Sequence, residues 1–196
     1  MFRVNRISAT PRILAIVYTD GGAASSYIAE LGYRLREAGT SIAGIVQYKP
    51  TLPAPSRCAI EVEELTSRFV LQLSEDGADQ PFGCGIDPEA LAEAAALITA
   101  ALRKHPDVVL LNKFGRLEAE GGGLRETIAE AIQLGTPLIA GVPRRNLGPW
   151  RALTKGLAEE IAIGSSRLYQ WLAAHRMMLD CEIALAPSMP TIRAAG

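Results

Sequence analysis

The chain has few of the residues that build metal centres and disulfide frameworks: three cysteines and two histidines in 196 positions. Cys58, Cys84 and Cys181 lie far apart and form no CxxC pair, which argues against a zinc site or a disulfide scaffold and fits a reducing cytosol. Cys58 and Cys84 flank a hairpin region, where buried thiols are the default and any further role stays open. His105 precedes Pro106 and His175 stands beside Arg176, neither with a partner at metal-ligand spacing, so no metal site is expected. No nucleophile elbow or Ser/His/Asp arrangement is present. The net charge of −1 leaves no broad basic surface, so a nucleic-acid partner is not expected and any anion site must be local. No window approaches the roughly 18 uninterrupted apolar residues of a membrane span. Residues 1–10 carry charge without the apolar core of a secretory signal. The expectation is a soluble, cytoplasmic protein with neither membrane nor nucleic-acid partner.

Hydrophobic residues make up 48% and charged residues 21%, enough apolar material for one domain, residues 1–196, with a real core. Ile13–Tyr18 and Ile42–Gln47 are apolar runs without alternation, as in strands covered on both faces. Between them the pattern predicts a helix from about Ser25 to Ala38 ending at Gly39, so the three make a right-handed βαβ unit. Residues 60–73 alternate like a half-exposed hairpin. Asp87-Pro88 starts a helix that His105-Pro106 stops. Residues 107–112 are a third buried strand, about 123–134 a helix ended by Gly135, and 137–142 a fourth strand. Residues 143–149 read as loop and about 150–180 as a helical segment, clearest from Ser165 to Leu179 around Trp171, with a loose tail over 186–196. The fold class expected is α/β, three-layered, with a mostly parallel sheet, helices on both faces and an inserted β-hairpin.

Ligands of open α/β sheets gather at the carboxyl ends of the strands, which singles out three loops. The first, from Asp20 to Ser26, has Gly21 and Gly22 to bring backbone N–H groups near an anion at a helix start, with Ser25 and Ser26 supplying hydroxyls. It holds the position of a phosphate-binding loop but departs from GxxxxGK[ST]: with Ser25 in the hydroxyl position, Ala24 stands in place of the lysine. The second, Asn112 to Arg125, gathers cations (Lys113, Arg116, Arg125), carboxylates (Glu118, Glu120) and three glycines (Gly121, Gly122, Gly123). Asn112-Lys113 also matches the start of the NKxD guanine motif, but Gly115 replaces its acid. The third places Arg144 and Arg145 after the fourth strand, guanidinium forks suited to oxoanions.

The stretch Asn112-Lys-Phe-Gly115 with Glu118-Ala-Glu-Gly-Gly-Gly-Leu-Arg125 resembles the most distinctive motif of a bacterial family, domain of unknown function family 2478. Gly83-Cys-Gly-Ile-Asp87 resembles a second motif, with Gly85 in place of an arginine. With the Asp-Gly-Gly of the first loop and the Gly-Ile-Val-Gln47 strand, the likeness covers nearly the whole chain. That family is in turn similar to small P-loop nucleoside triphosphatases, which implies a degenerate Walker A at the first strand and a Walker-B-like strand at 107–112. Asn112 and Lys113 then stand where acidic, Mg²⁺-supporting residues would be. The resemblance also implies a molybdate-uptake context and hence an oxoanion ligand.

Three readings follow. In the first the chain binds a phosphate, a nucleotide or another oxoanion such as molybdate without efficient hydrolysis. Asp20, Gly21, Gly22, Ser25 and Ser26 form one wall; Asn112, Lys113, the carboxylates, the three glycines and Arg125 form the other, with Arg144 and Arg145 beside them. In the second it is an active nucleoside-triphosphate hydrolase, with Lys113 supplying charge and Glu118 or Glu120 orienting water through Mg²⁺. In the third it is a non-catalytic module that forms a homodimer through the helix around Trp171. The cofactor is open, with Mg²⁺ expected if a nucleotide binds.

Overall fold

The computed structural model describes residues 12–48, 60–74 and 85–179. The cysteines, residues 1–11, most of the 74–85 loop and the tail from 186 lie outside them, as does the first half of the Gly83–Asp87 motif. One seven-stranded sheet forms the middle layer, in the order β4-β3-β2-β5-β6-β1-β7. Its strands are β1 (Ile13–Tyr18), β2 (Ile42–Gln47), β3 (Glu61–Glu64), β4 (Val70–Gln72), β5 (Val108–Leu111), β6 (Leu138–Pro143) and β7 (Glu159–Ala162). β2, β5, β6, β1 and β7 run parallel, and β3 and β4 add an antiparallel hairpin on the β2 side.

The run Ile13–Val17 explains the layering: its residues alternate between two separate cores. Leu14 and Ile16 face a core shared with Val46, Leu110 and Ile139, covered by α1 (Gly21–Glu37) and α6 (Arg167–Ala174). Ile13 and Ala15 face the other, shared with Ile45, Val109 and Leu111, covered by α2 (Pro88–Leu102), α4 (Arg125–Gln133) and α5 (Leu147–Leu153). Burial on both faces is what continuous apolar strands require, so the three-layer α/β arrangement expected from the strands is the one observed. No helix of the described residues is long and apolar enough to cross a membrane.

Four boundaries differ from expectation. α1 begins at Gly21, not Ser25, because the Asp20 side chain accepts hydrogen bonds from Gly22 N and Ala23 N and caps it there. The second loop contains a short helix, α3 (Arg116–Ala119), before α4. Residues 143–149 are not loop: a 3-10 turn over Arg144–Asn146 runs into α5, with Pro149 in its first turn, where a missing N–H costs nothing. The segment expected to be helical throughout holds β7, an edge strand whose Glu159 and Glu160 pair with Arg167 and Arg151. Two adjacent acids weaken any strand signal, and at this solvated edge they pair with the arginines of α5 and α6.

Trp171 is 1% exposed, packed beneath the sheet with His175 stacked on its ring at 4.1 Å. Its side chain belongs to this chain's own core, while Tyr169 of the same helix is exposed.

Candidate anion site at the carboxyl edge

Parallel register brings the ends of β5, β6 and β1 side by side: Leu111 stands opposite Ala140, and Pro143 opposite Tyr18. The three loops singled out in the sequence therefore leave one edge of the sheet. They do not contribute equally.

The first loop is only Thr19-Asp20, too short to wrap an anion. Gly21 and Gly22 are already helix, and Asp20 Oδ1 takes the Gly22 and Ala23 N–H groups at 2.9 and 3.3 Å. The positive end of α1 thus has a carboxylate of its own. Ser26 Oγ donates back to the Gly22 carbonyl at 3.1 Å, and Ser25 is buried. The expected wall of glycines and serines is here a capped helix start.

In the second loop Glu118 has a structural task. It is 5% exposed; its Oε2 accepts from Gly115 N at 2.7 Å and its Oε1 from Leu124 N at 2.9 Å. Both oxygens tie the two ends of the loop together, so the carboxylate is not directed at a water or a metal. Of the three glycines, Gly121 and Gly122 donate to the carbonyls of Glu118 and Leu117, closing α3. A Cβ on Gly123, where φ is +57°, would run into the Glu118 carboxylate. The triplet exists to let the chain turn around Glu118. Arg125 donates to the Glu118 carbonyl at 3.2 Å, and Glu120 pairs with Arg116 at the exposed rim.

What is left at the edge is of another kind. Lys113 is exposed, its chain running along Gly115, and Arg144 and Arg145 are exposed beside it; none has a hydrogen bond or ion pair with the described residues. Asn146 fixes the two loops together by donating to the carbonyls of Phe114 and Gly115 at 3.1 and 2.9 Å. Phe114 is buried edge-on against Trp150 and its N–H bonds the Gly141 carbonyl, which anchors Lys113 from below.

At the same edge lies Asn112, 8% exposed, with neither Nδ2 nor Oδ1 hydrogen-bonded. Buried polar groups are ordinarily paired, and leaving one unpaired costs about 1–3 kcal/mol. The only other such atom among the described residues is Trp150 Nε1. Gly141 marks where the amide lies: a Cβ there would collide with Ile28 and stand 3.5 Å from the Tyr18 ring and 3.8 Å from Asn112 Oδ1. Asn112 and Tyr18 thus share the α1 face of the sheet. Burial pushes the Tyr18 phenol up to about 12, against the pull of the Arg145 guanidinium, so the hydroxyl is a proton donor throughout the neutral range. Tyr18 was not singled out in the sequence; the only signal for it was an aromatic with a hydroxyl closing a buried strand at the ligand edge.

The described residues bring no three His, Cys, Asp or Glu side chains together at metal-binding distance. The edge offers cations, a phenol and an amide: groups that bind oxoanions.

The model of a family described as protein of unknown function (DUF2478) matches residues 13–171. A molybdenum import ATP-binding protein, ModC 2 of Bradyrhizobium diazoefficiens, is 26% identical over 160 residues, covering 82% of this chain and 18% of that protein. The chain therefore spans less than a fifth of the relative's length. No solved structure matches it.

Proposed function

The chain belongs to the DUF2478 family, and from that premise and the geometry of the edge we propose that it is a cytoplasmic binding protein for a phosphate, a nucleotide or another oxoanion, and does not hydrolyse it efficiently. The carrying observation is the buried, unpaired Asn112 amide at the sheet edge that also carries Lys113, Arg144 and Arg145, three cations with no counter-ion among the described residues. An oxoanion offers acceptors to the Asn112 Nδ2, to the Tyr18 hydroxyl and to the guanidinium forks at once. The relative's name joins molybdenum import to ATP binding, and molybdate, an oxoanion of molybdenum, shares with ATP its tetrahedral oxyanions.

Weak turnover follows from what surrounds the site. Phosphoryl transfer needs positive charge on the β and γ phosphates, a metal ion and an oriented water. The first loop has Ala24 in place of lysine, Asn112 is neutral, and the Glu118 oxygens are occupied by backbone N–H groups. Mg²⁺ would arrive held by the nucleotide's own phosphates rather than by carboxylates of this chain.

Titration calorimetry with molybdate, tungstate, phosphate, ATP and GTP tests the reading. Binding of at least one, weakened tenfold or more in Lys113→Ala with Arg145→Ala, is the expected result. Absence of binding by all five would overturn it. Sustained phosphate release from ATP or GTP with Mg²⁺, abolished in Lys113→Ala, would replace it with the hydrolase reading.

A further inference from the structure

One strand along from Asn112, on the same face of the sheet, a groove of about 440 Å³ opens between α1, the end of β2 and β3. Tyr33, Arg36, Gln47, Tyr48 and Glu63 line it, with Ser26 at the α1 end. Its volume falls within the roughly 300–1,000 Å³ of small-molecule pockets. The charges inside it cancel. Arg36 donates to Glu63 Oε1 at 2.7 Å and lies over the Tyr33 ring at 5.2 Å, while Tyr33 Oη donates to Glu63 Oε2 at 3.0 Å. On the rim Glu30 is held by Arg34. Burial and the Glu63 carboxylate push the Tyr33 phenol up to about 12, so this network keeps its protons at neutral pH.

Gln47 follows Val46 and lines the groove from the end of β2, and the Tyr48 hydroxyl has no hydrogen bond with the described residues. The groove therefore presents aromatic surface, a phenol hydroxyl and no net charge. That chemistry suits a neutral planar heterocycle rather than an anion. Its position matters as much. Ile45 stands opposite Leu111, and the next residue, Asn112, donates its backbone N–H to the Ile45 carbonyl at 3.0 Å, so the end of β2 lies beside Asn112. Groove and cationic edge are thus neighbouring parts of one surface, with the unpaired Asn112 on the α1 face between them.

We propose that the groove between α1, β2 and β3 takes the base of a nucleotide whose phosphates lie on the Lys113–Arg145 edge. This rests on the anion site described above, and it narrows the ligand from any oxoanion to a nucleoside phosphate. Tyr48 is then a specificity residue, and Glu63 with Arg36 and Tyr33 forms the wall that holds the groove open.

The experiment is a set of calorimetric titrations on the intact chain with inorganic phosphate, adenosine, guanosine, ATP and GTP, for wild type, Tyr48→Ala, Gln47→Ala and Lys113→Ala. Circular dichroism of each variant confirms that it is folded. The expected result is a nucleotide bound at least tenfold more tightly than phosphate. Tyr48→Ala should reduce that advantage about tenfold while leaving phosphate affinity unchanged, Gln47→Ala should leave both affinities unchanged, and Lys113→Ala should weaken both ligands. Nucleotide and phosphate binding equally well, or a nucleotide advantage indifferent to Tyr48→Ala, would overturn the groove and leave the anion site standing. Nucleoside binding lost in Tyr48→Ala, with no phosphate binding at all, would support the groove and overturn the anion edge. Binding of none of the five would overturn both.

Discussion

Replacing Glu118 separates a structural carboxylate from a catalytic one. Its two oxygens accept backbone N–H groups from Gly115 and Leu124, six residues beyond it, inside a site only 5% exposed. Hydrogen bonds to a charged group contribute about 1.5–3 kcal/mol each, and truncation would also orphan two donors. Because the loop lies near the surface and water can reach part of it, the lower end applies, and Glu118→Ala should cost about 3–4 kcal/mol. For a domain of this size 1 kcal/mol moves Tm by about 2–4 °C, so the fall should be roughly 6–16 °C. Glu118→Gln keeps one acceptor but turns an NH₂ toward the other N–H, and should cost about half as much. Thermal unfolding followed by circular dichroism measures both. The reasoning is refuted if Glu118→Gln melts like wild type, and more pointedly so if it does that while abolishing an activity, since the carboxylate would then be free to act on a ligand.

Other consequences are simpler. Asn112→Leu removes a buried amide with no partner and should stabilise the ligand-free protein by about 1 kcal/mol while weakening anion binding, to be read from Tm and titration of the same variant. Gly44→Ala puts a Cβ into the Leu110 carbonyl at φ +119° in a central strand and should cost about 4 kcal/mol or more, visible as loss of soluble, folded protein. Arg151→Ala breaks an exposed pair with Glu160 and should leave the urea midpoint close to that of wild type, closer still at high salt. The Tyr18 and Tyr33 phenols have folded-state values of about 12 against an ordinary 10.0. Their contribution is complete below pH 10 and is lost as pH rises through 12, so the urea midpoint should fall across that window and fall less in Tyr33→Phe.

The strands of the sheet's centre were legible because burial on both faces leaves an unbroken apolar run, as in Ile13–Tyr18 and Val108–Leu111. The hairpin announced itself by alternation, and Asp87-Pro88 by its capping chemistry. β7 did not, since an edge strand with two glutamates has no local apolar pattern and is set by its pairing with β1. The first loop misled through likeness to a phosphate-binding motif: Asp20 is a good N-cap, and a cap there draws Gly21 and Gly22 into the helix. In the second loop the density of charge and glycine pointed to the right region for a partly different reason. Much of that density is the staple around Glu118, and the groups left over are Lys113 and Asn112. The electrostatic influence of Arg145 on Tyr18, and the isolation of the Asn112 amide, depend on strand order, which spacing along the chain does not express.

The central claim is that the edge beneath Lys113, Arg144 and Arg145 holds an oxoanion against the Asn112 amide. Its most direct measurement is calorimetric titration of wild type and Asn112→Leu, side by side, with molybdate, phosphate and ATP. The account predicts that at least one binds wild type and that its affinity falls tenfold or more in the variant, although the variant is the more stable protein. Equal affinities in the two, or no binding to either, would contradict it.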